Sequence, residues 1–222
     1  MKKTALLVFL FVLISQSSKA QVSEDHVSHN HKYSQVSIDG MFGDKGLISE
    51  FFFLKSIDDN NRWLAISRSE LHLPDYDNDA QEFVNFNTFS YNFKNGLGIA
   101  AGTYASTHYN FSTRLGLQYF KESEKFLFYT YLSTAVTNEA DGQLLVLGAY
   151  TPELSHNWKL YTRAEWRSAI SYEHGHAFSN QLLRLGFQYK EIVFGAGAEL
   201  EEQGEDFEEF ECNVGPFVRI LF

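Results

Sequence analysis

The stretch His174-Gly175-His176-Ala177-Phe178-Ser179-Asn180 sets imidazoles and a hydroxyl close together, and the carboxylate of Glu191 follows Ser179 by twelve residues. A serine becomes a nucleophile when a histidine within hydrogen-bond reach takes its proton, and such a pair splits acyl esters through a covalent intermediate. The spacing works against that chemistry here. Side chains of a regular strand alternate in direction, so His176 and Ser179, three apart, are expected on opposite faces. The expectation is no enzyme, with an esterase at the rim as the alternative if a loop brings the two together.

Two other groups have types suited to chemistry. His26, His29 and His31 fall within six residues, and imidazoles so spaced suit a transition metal, but nothing in the segment fixes the rings and a solvated N-terminal stretch is the expectation. The acidic run from Glu201 through Glu209, placed outside the cell with Asp75, Asp77 and Asp79, could bridge divalent cations to lipopolysaccharide phosphates. It lacks the ligand spacing of an EF-hand, so a solvated loop is expected and no metal or other cofactor is assigned. Cys212 is the single cysteine and permits no internal disulfide.

The remaining candidates lie on alternating segments. From 156 to 172, Trp158, Leu160, Thr162, Ala164, Trp166, Ile170 and Tyr172 share one face, and Lys159, Tyr161, Arg163, Glu165 and Arg167 share the other. The same split puts Arg114 and Gln118, Arg184 and Gln188, Glu199 and Glu201, and Arg219 on polar faces, with Phe187, Phe194 and Ile220 on apolar ones. Mixed charge of this kind suits a passive pore for small polar solutes, since it replaces part of a solute's hydration without trapping it. Paired off as salt bridges, the same side chains would fill a structural barrel that conducts nothing. On this reading Ala164→Arg, a charge on the lipid face, is costly and Arg163→Ala is far less so.

These side chains need strands to position them. Alternating segments near 33–41, 46–55, 62–73, 81–94, 96–105, 109–120, 124–137, 142–151, 156–172, 178–189, 191–201 and 210–222 predict about twelve strands, ten being the alternative count. The segment 81–94 is untidy, because Asn85 and Asn87 fall with Phe83, Phe89 and Tyr91. Tight connections such as Lys94-Asn95-Gly96 and Lys190-Glu191 alternate with longer polar ones, an arrangement of short periplasmic turns and longer extracellular loops.

Residues 1–20, with Lys2 and Lys3, an apolar run from Ala5 to Ile14 and the small-x-small end Ser18-Lys19-Ala20, read as a signal peptide. Residues 21–32 read as a flexible histidine-containing segment and 33–222 as one β-domain. Without the signal the chain carries 15 basic and 28 acidic side chains, a formal charge of −13 that disfavours nucleic acid. No apolar run beyond the signal is long enough for a transmembrane helix.

A soluble sandwich or lipocalin-like barrel would show the same alternation with its apolar face inward. Twelve strands of membrane-spanning length favour a closed antiparallel transmembrane β-barrel instead. The chain ends Pro216-Phe217-Val218-Arg219-Ile220-Leu221-Phe222, with Val218, Ile220 and Phe222 on one face. This resembles the C-terminal strand of Gram-negative outer-membrane proteins, which implies delivery to the cell outer membrane by the barrel-assembly machinery.

The segments Asn157-Trp158-Lys159-Leu160, Val193-Phe194-Gly195-Ala196-Gly197-Ala198-Glu199-Leu200 and Val214-Gly215-Pro216-Phe217-Val218-Arg219 resemble the small twelve-stranded porins, above all the nucleoside-specific channel-like barrels. That resemblance implies a pore with a lumen of aromatic and ionisable residues, seated among outer-membrane lipid and lipopolysaccharide. The stretch from His174 to Asn180 is similar to the lipid A deacylases, which act at the barrel rim, but their histidine and serine stand two apart.

Overall fold

In the computed structural model, residues 34–107, 111–136, 141–172, 175–204 and 209–222 are described. The signal segment 1–20, the segment 21–32 with His26, His29 and His31, residue His174 and the middle of the acidic loop lie outside the described residues.

Alternating segments can hydrogen-bond only by lying side by side, and they do so in chain order. The strands are β1 (Ser34–Phe42), β2 (Gly46–Ser56), β3 (Trp63–Pro74), β4 (Glu82–Asn92), β5 (Leu97–Ser106), β6 (Ser112–Glu122), β7 (Phe126–Ala135), β8 (Asp141–Tyr150), β9 (Glu153–Ser155), β10 (Trp158–Ser171), β11 (Gly175–Tyr189), β12 (Ile192–Gln203) and β13 (Glu209–Leu221). Twelve of them form an antiparallel ring, in which β13 pairs with β1 and β8 pairs with β10. The three-residue β9 lies outside the ring, paired only with the start of β10. The seam is a full ladder: Ile38 faces Ile220, Asp39 faces Arg219, and Phe222 N–H donates to the Val36 carbonyl at 2.9 Å. Closure leaves no edge, as hydrocarbon requires, because there an unpaired backbone group has no water to turn to.

Tight turns at Lys190-Glu191 and at Phe93 to Gly96 lie at the terminal end of the barrel, where β1 begins and β13 finishes. Gly96 closes its turn at φ +88°, a left-handed conformation that glycine adopts without strain. At the opposite end β10 and β11, of 14 and 15 residues, are the longest strands, so the connection expected over 173–178 is largely strand.

The outer wall is mostly apolar, with aromatic side chains toward both of its ends. Phe89, Leu117, Leu132, Leu185, Phe194 and Val218 are exposed, with Trp63, Trp158 and Tyr189 toward the terminal side and Phe42, Phe83, Phe111 and Phe210 toward the other. In water such a surface would be an aggregation site, whereas in a bilayer it is the solvated face. The soluble-barrel alternative is excluded on this count.

The interior departs from the expected polar lumen. Beneath β2 to β8 it holds an apolar cluster that includes Phe52, Leu54, Leu64, Phe86, Phe120, Tyr129, Tyr131 and Leu147. These residues sit on the inward face of strands such as β2 and β7 that are apolar on both faces, so alternation of polarity could not reveal them.

Candidate functional site

Two places concentrate chemistry, one inside the barrel and one on its outer wall. Inside, β1, β2, β3, β10, β11 and β13 converge on a buried ionic network. Glu50 on β2 accepts from Arg68 Nε at 2.7 Å, Arg163 Nη1 at 2.8 Å and Arg219 Nη2 at 2.6 Å. Arg68 also bonds Glu70 and reaches Glu165 at 2.9 Å, and Arg163 bonds Glu165. Asp39 holds Arg219 at 2.8 Å and lies 3.8 Å from Arg184, while Arg167 reaches Glu70 at 3.3 Å. Tyr161 OH completes the guanidinium of Arg219 at 2.5 Å. Removing charges from water costs several kcal/mol per ion, and only mutual pairing of this density offsets it.

Of the residues assigned from sequence to a lumen, Arg114, Gln118, Arg163, Glu165, Arg167, Arg184, Glu199 and Arg219 point inward and are buried. Arg114 pairs with Asp141 at 2.6 Å, Gln118 donates to Asn92, and Glu199 accepts from Asn180 at 2.7 Å. Lys159 and Gln188 are half-buried at the terminal end, where Lys159 lies 4.0 Å from Glu153 and Gln188 donates to the Lys190 carbonyl. Glu201 lines a recess of about 70 Å³ at the other mouth with His72, Glu82, Glu211 and Asn213. A more open depression of about 470 Å³ lies beside it on the rim, bordered by Lys45, Gln203, Glu209 and Cys212. Asp39, Glu50, Arg68 and Glu70 were not singled out from sequence. Their signal was present, since each alternates with outward Ile38, Phe51, Ser67 or Ser69.

On the wall, Trp158, Leu160, Ala164, Trp166, Ile170, Phe187, Phe194 and Ile220 lie on the outward face, as do Val218 and Phe222 at the C-terminus. The outward face of β10 and β11 near the non-terminal end also carries polar groups. Ala169 pairs with Phe178 but Ile170 pairs with His176, so Ala177 is an extra residue, a β-bulge. The bulge shifts the phase of the strand by one, and His176 and Ser179 emerge on the same outward face. This corrects the regular-strand expectation that they face apart.

His176 Nε2 is 2.9 Å from Ser179 Oγ, and its Nδ1 is 2.9 Å from the Gly204 carbonyl oxygen. A carbonyl only accepts, so Nδ1 carries the proton and Nε2 presents its lone pair to the Ser179 hydroxyl. Ser168 Oγ lies 3.0 Å from Ser179 Oγ on the other side. Glu202 on β12 stands directly across from Ser179 in the sheet register. Glu191 belongs elsewhere: it sits in the turn at the far end of β11, where its carbonyl accepts from Leu221 N–H. Ser168 and Glu202 were missed from sequence because only the register across strands brings them beside Ser179.

No protein-family model matches the sequence, and no curated protein matches it at a significant level. Among solved structures the barrel is similar to the NanC porin in a rhombohedral crystal form, with TM-score 0.50 and 10% identity over 83% of this chain and 98% of that one. It also aligns with in-vitro folded OmpT, an outer membrane protein of Vibrio cholerae, with TM-score 0.38 and 11% identity over 90% of this chain and 100% of that one. The likeness to the NanC porin is one of fold. With the closed twelve-stranded ring and its apolar outer wall, it makes this chain an outer-membrane β-barrel.

Proposed function

We propose that this barrel works from its outer wall rather than through its lumen, as a hydrolase of acyl esters in the surrounding lipid, with Ser179 as nucleophile and His176 as general base. The observation that carries this reading is the 2.9 Å approach of His176 Nε2 to Ser179 Oγ on the outward face of the sheet, where Ser179 itself is buried beneath its neighbours, with Nδ1 anchored on the Gly204 carbonyl. As Ser179 Oγ attacks the ester carbonyl carbon, Nε2 takes the hydroxyl proton. The same proton passes to the departing alcohol, leaving an acyl-serine. A water molecule, deprotonated by His176, then releases the fatty acid and restores the serine. The Gly204 carbonyl holds the imidazole in the productive tautomer. The position at the barrel end opposite the start of β1 and the finish of β13 points to the outer leaflet, so the substrate class is a surface lipid, lipopolysaccharide or phospholipid.

The pore reading draws on the fold likeness to a porin and on the mixed charge of the inward faces. The pairing of those charges with one another supports a non-conducting barrel instead. Labelling of the folded protein by a lipophilic fluorophosphonate tests the proposal. Mass spectrometry is expected to place the label on Ser179 and to find it lost in His176→Ala. A folded protein that takes no label there would refute the assignment.

A further inference from the structure

Asn85 and Asn87 on β4 sit on the outer wall between Phe83 and Phe89, a band that otherwise meets hydrocarbon. They are not isolated. Ser67 Oγ donates to Asn87 Oδ1 at 2.7 Å, and Asn87 Nδ2 donates to Asn85 Oδ1 at 2.5 Å and to Thr103 Oγ1 at 3.2 Å. Asn85 Nδ2 donates to Ser69 Oγ at 2.8 Å and to the Arg68 carbonyl at 3.4 Å. The network uses every amide hydrogen of the two asparagines. Within the cluster the hydroxyl hydrogens of Ser69 and Thr103, and one lone pair on each amide oxygen, are not used.

Lipid tails offer nothing to these groups, and polar side chains on a membrane-facing surface act as contacts between protein elements. What remains open is a pair of donors beside a pair of acceptors, with no net charge. That combination is complementary to itself, which is the requirement of a contact made by the same patch on both partners of a two-fold pair. Ala65, Ala101 and Ala105 flank the cluster on the same face, and their small side chains permit two walls to approach closely. We propose that this patch is the interface between two copies of the chain in the membrane, related by a two-fold axis normal to the bilayer. In the ring β4 and β11 are six strands apart, on opposite sides of the barrel. Pairing through β3 to β5 therefore leaves the Ser179 wall of both copies open to lipid.

Sedimentation equilibrium of the purified chain in density-matched detergent reads the association directly. The wild type is expected to dimerise, and Asn85→Leu with Asn87→Leu to weaken the dimer on the order of tenfold or more, with heat-dependent gel mobility confirming that the barrel stays folded. Disulfide trapping in lipid vesicles supplies the second measurement, in a Cys212→Ala background. Ala101→Cys is expected to cross-link two copies, and Leu185→Cys on the opposite wall is not. A wild type that stays monomeric, a dimer indifferent to the asparagine changes, or cross-linking through Leu185→Cys would each overturn the interface. A wild type monomeric when pure but trapped through Ala101→Cys to a different protein in native membranes would overturn it too, assigning the patch to that partner.

Discussion

His176 and Ser179 stand three residues apart in one strand yet face the same way, 2.9 Å between Nε2 and Oγ, because Ala177 between them is a bulge residue with no partner on β10. The bulge is the device on which the outer-wall chemistry rests, and it gives the first prediction. Inserting one residue between Ala169 and Ile170 gives Ala177 a partner on β10, restores regular alternation through the pair and turns His176 toward the interior. The protein should keep its heat-modifiable barrel but lose ester hydrolysis, a result read by comparing gel mobility with fatty-acid release.

The second prediction concerns Glu50, which joins Arg68, Arg163 and Arg219 in the buried network. Glu50→Ala leaves three guanidinium groups short of a partner, and breaking a buried pair costs about 3–5 kcal/mol. Arg163→Ala should lose a similar amount, contrary to the small effect read from the sequence, because Glu50 and Glu165 both depend on it. Lys159→Ala, at a solvated pair of 4.0 Å, should change stability by no more than about 1 kcal/mol. Urea unfolding in detergent or vesicles measures all three.

A third prediction tests the solvent on the outer wall. Ala164 faces outward near the middle of β10, and Ala164→Arg should destabilise the folded barrel by about 2–4 kcal/mol in a bilayer. An effect near zero would place that face in water.

The fourth prediction is electrical. Planar bilayers holding the folded protein should show no discrete conductance steps, because the interior is occupied by paired charge beneath β10 to β13 and β1 to β3 and by the apolar cluster beneath β2 to β8. Regular steps whose ion selectivity changes in Arg163→Glu would restore the pore.

The ring itself was legible in the sequence, since hydrophobic alternation gives strands and hydrocarbon forces them to close. Alternation also gave the direction of Arg114, Arg163, Glu165 and Arg184. It gave no access to what those side chains meet. Arg219 reaches Asp39 across the seam and Arg163 reaches Glu50 across the interior, contacts that depend on which strands share the barrel's inner space. A strand that is apolar on both faces, such as β2 with Phe51, Phe52 and Phe53, hides its inward members altogether. The bulge was invisible for a related reason. A one-residue phase shift leaves no compositional mark, and it is defined only by the partner strand, where Ile170 takes His176 in place of Ala177.

Ser179 activated by His176 is most directly tested by release of fatty acid from outer-leaflet lipid incubated with the folded protein. The wild type should liberate acyl chains from lipopolysaccharide or phospholipid vesicles, His176→Ala should slow that release by about 10²–10⁴-fold, and Ser179→Ala should reduce it to background. Equal release by wild type and Ser179→Ala, or none from either with the barrel intact, would contradict it.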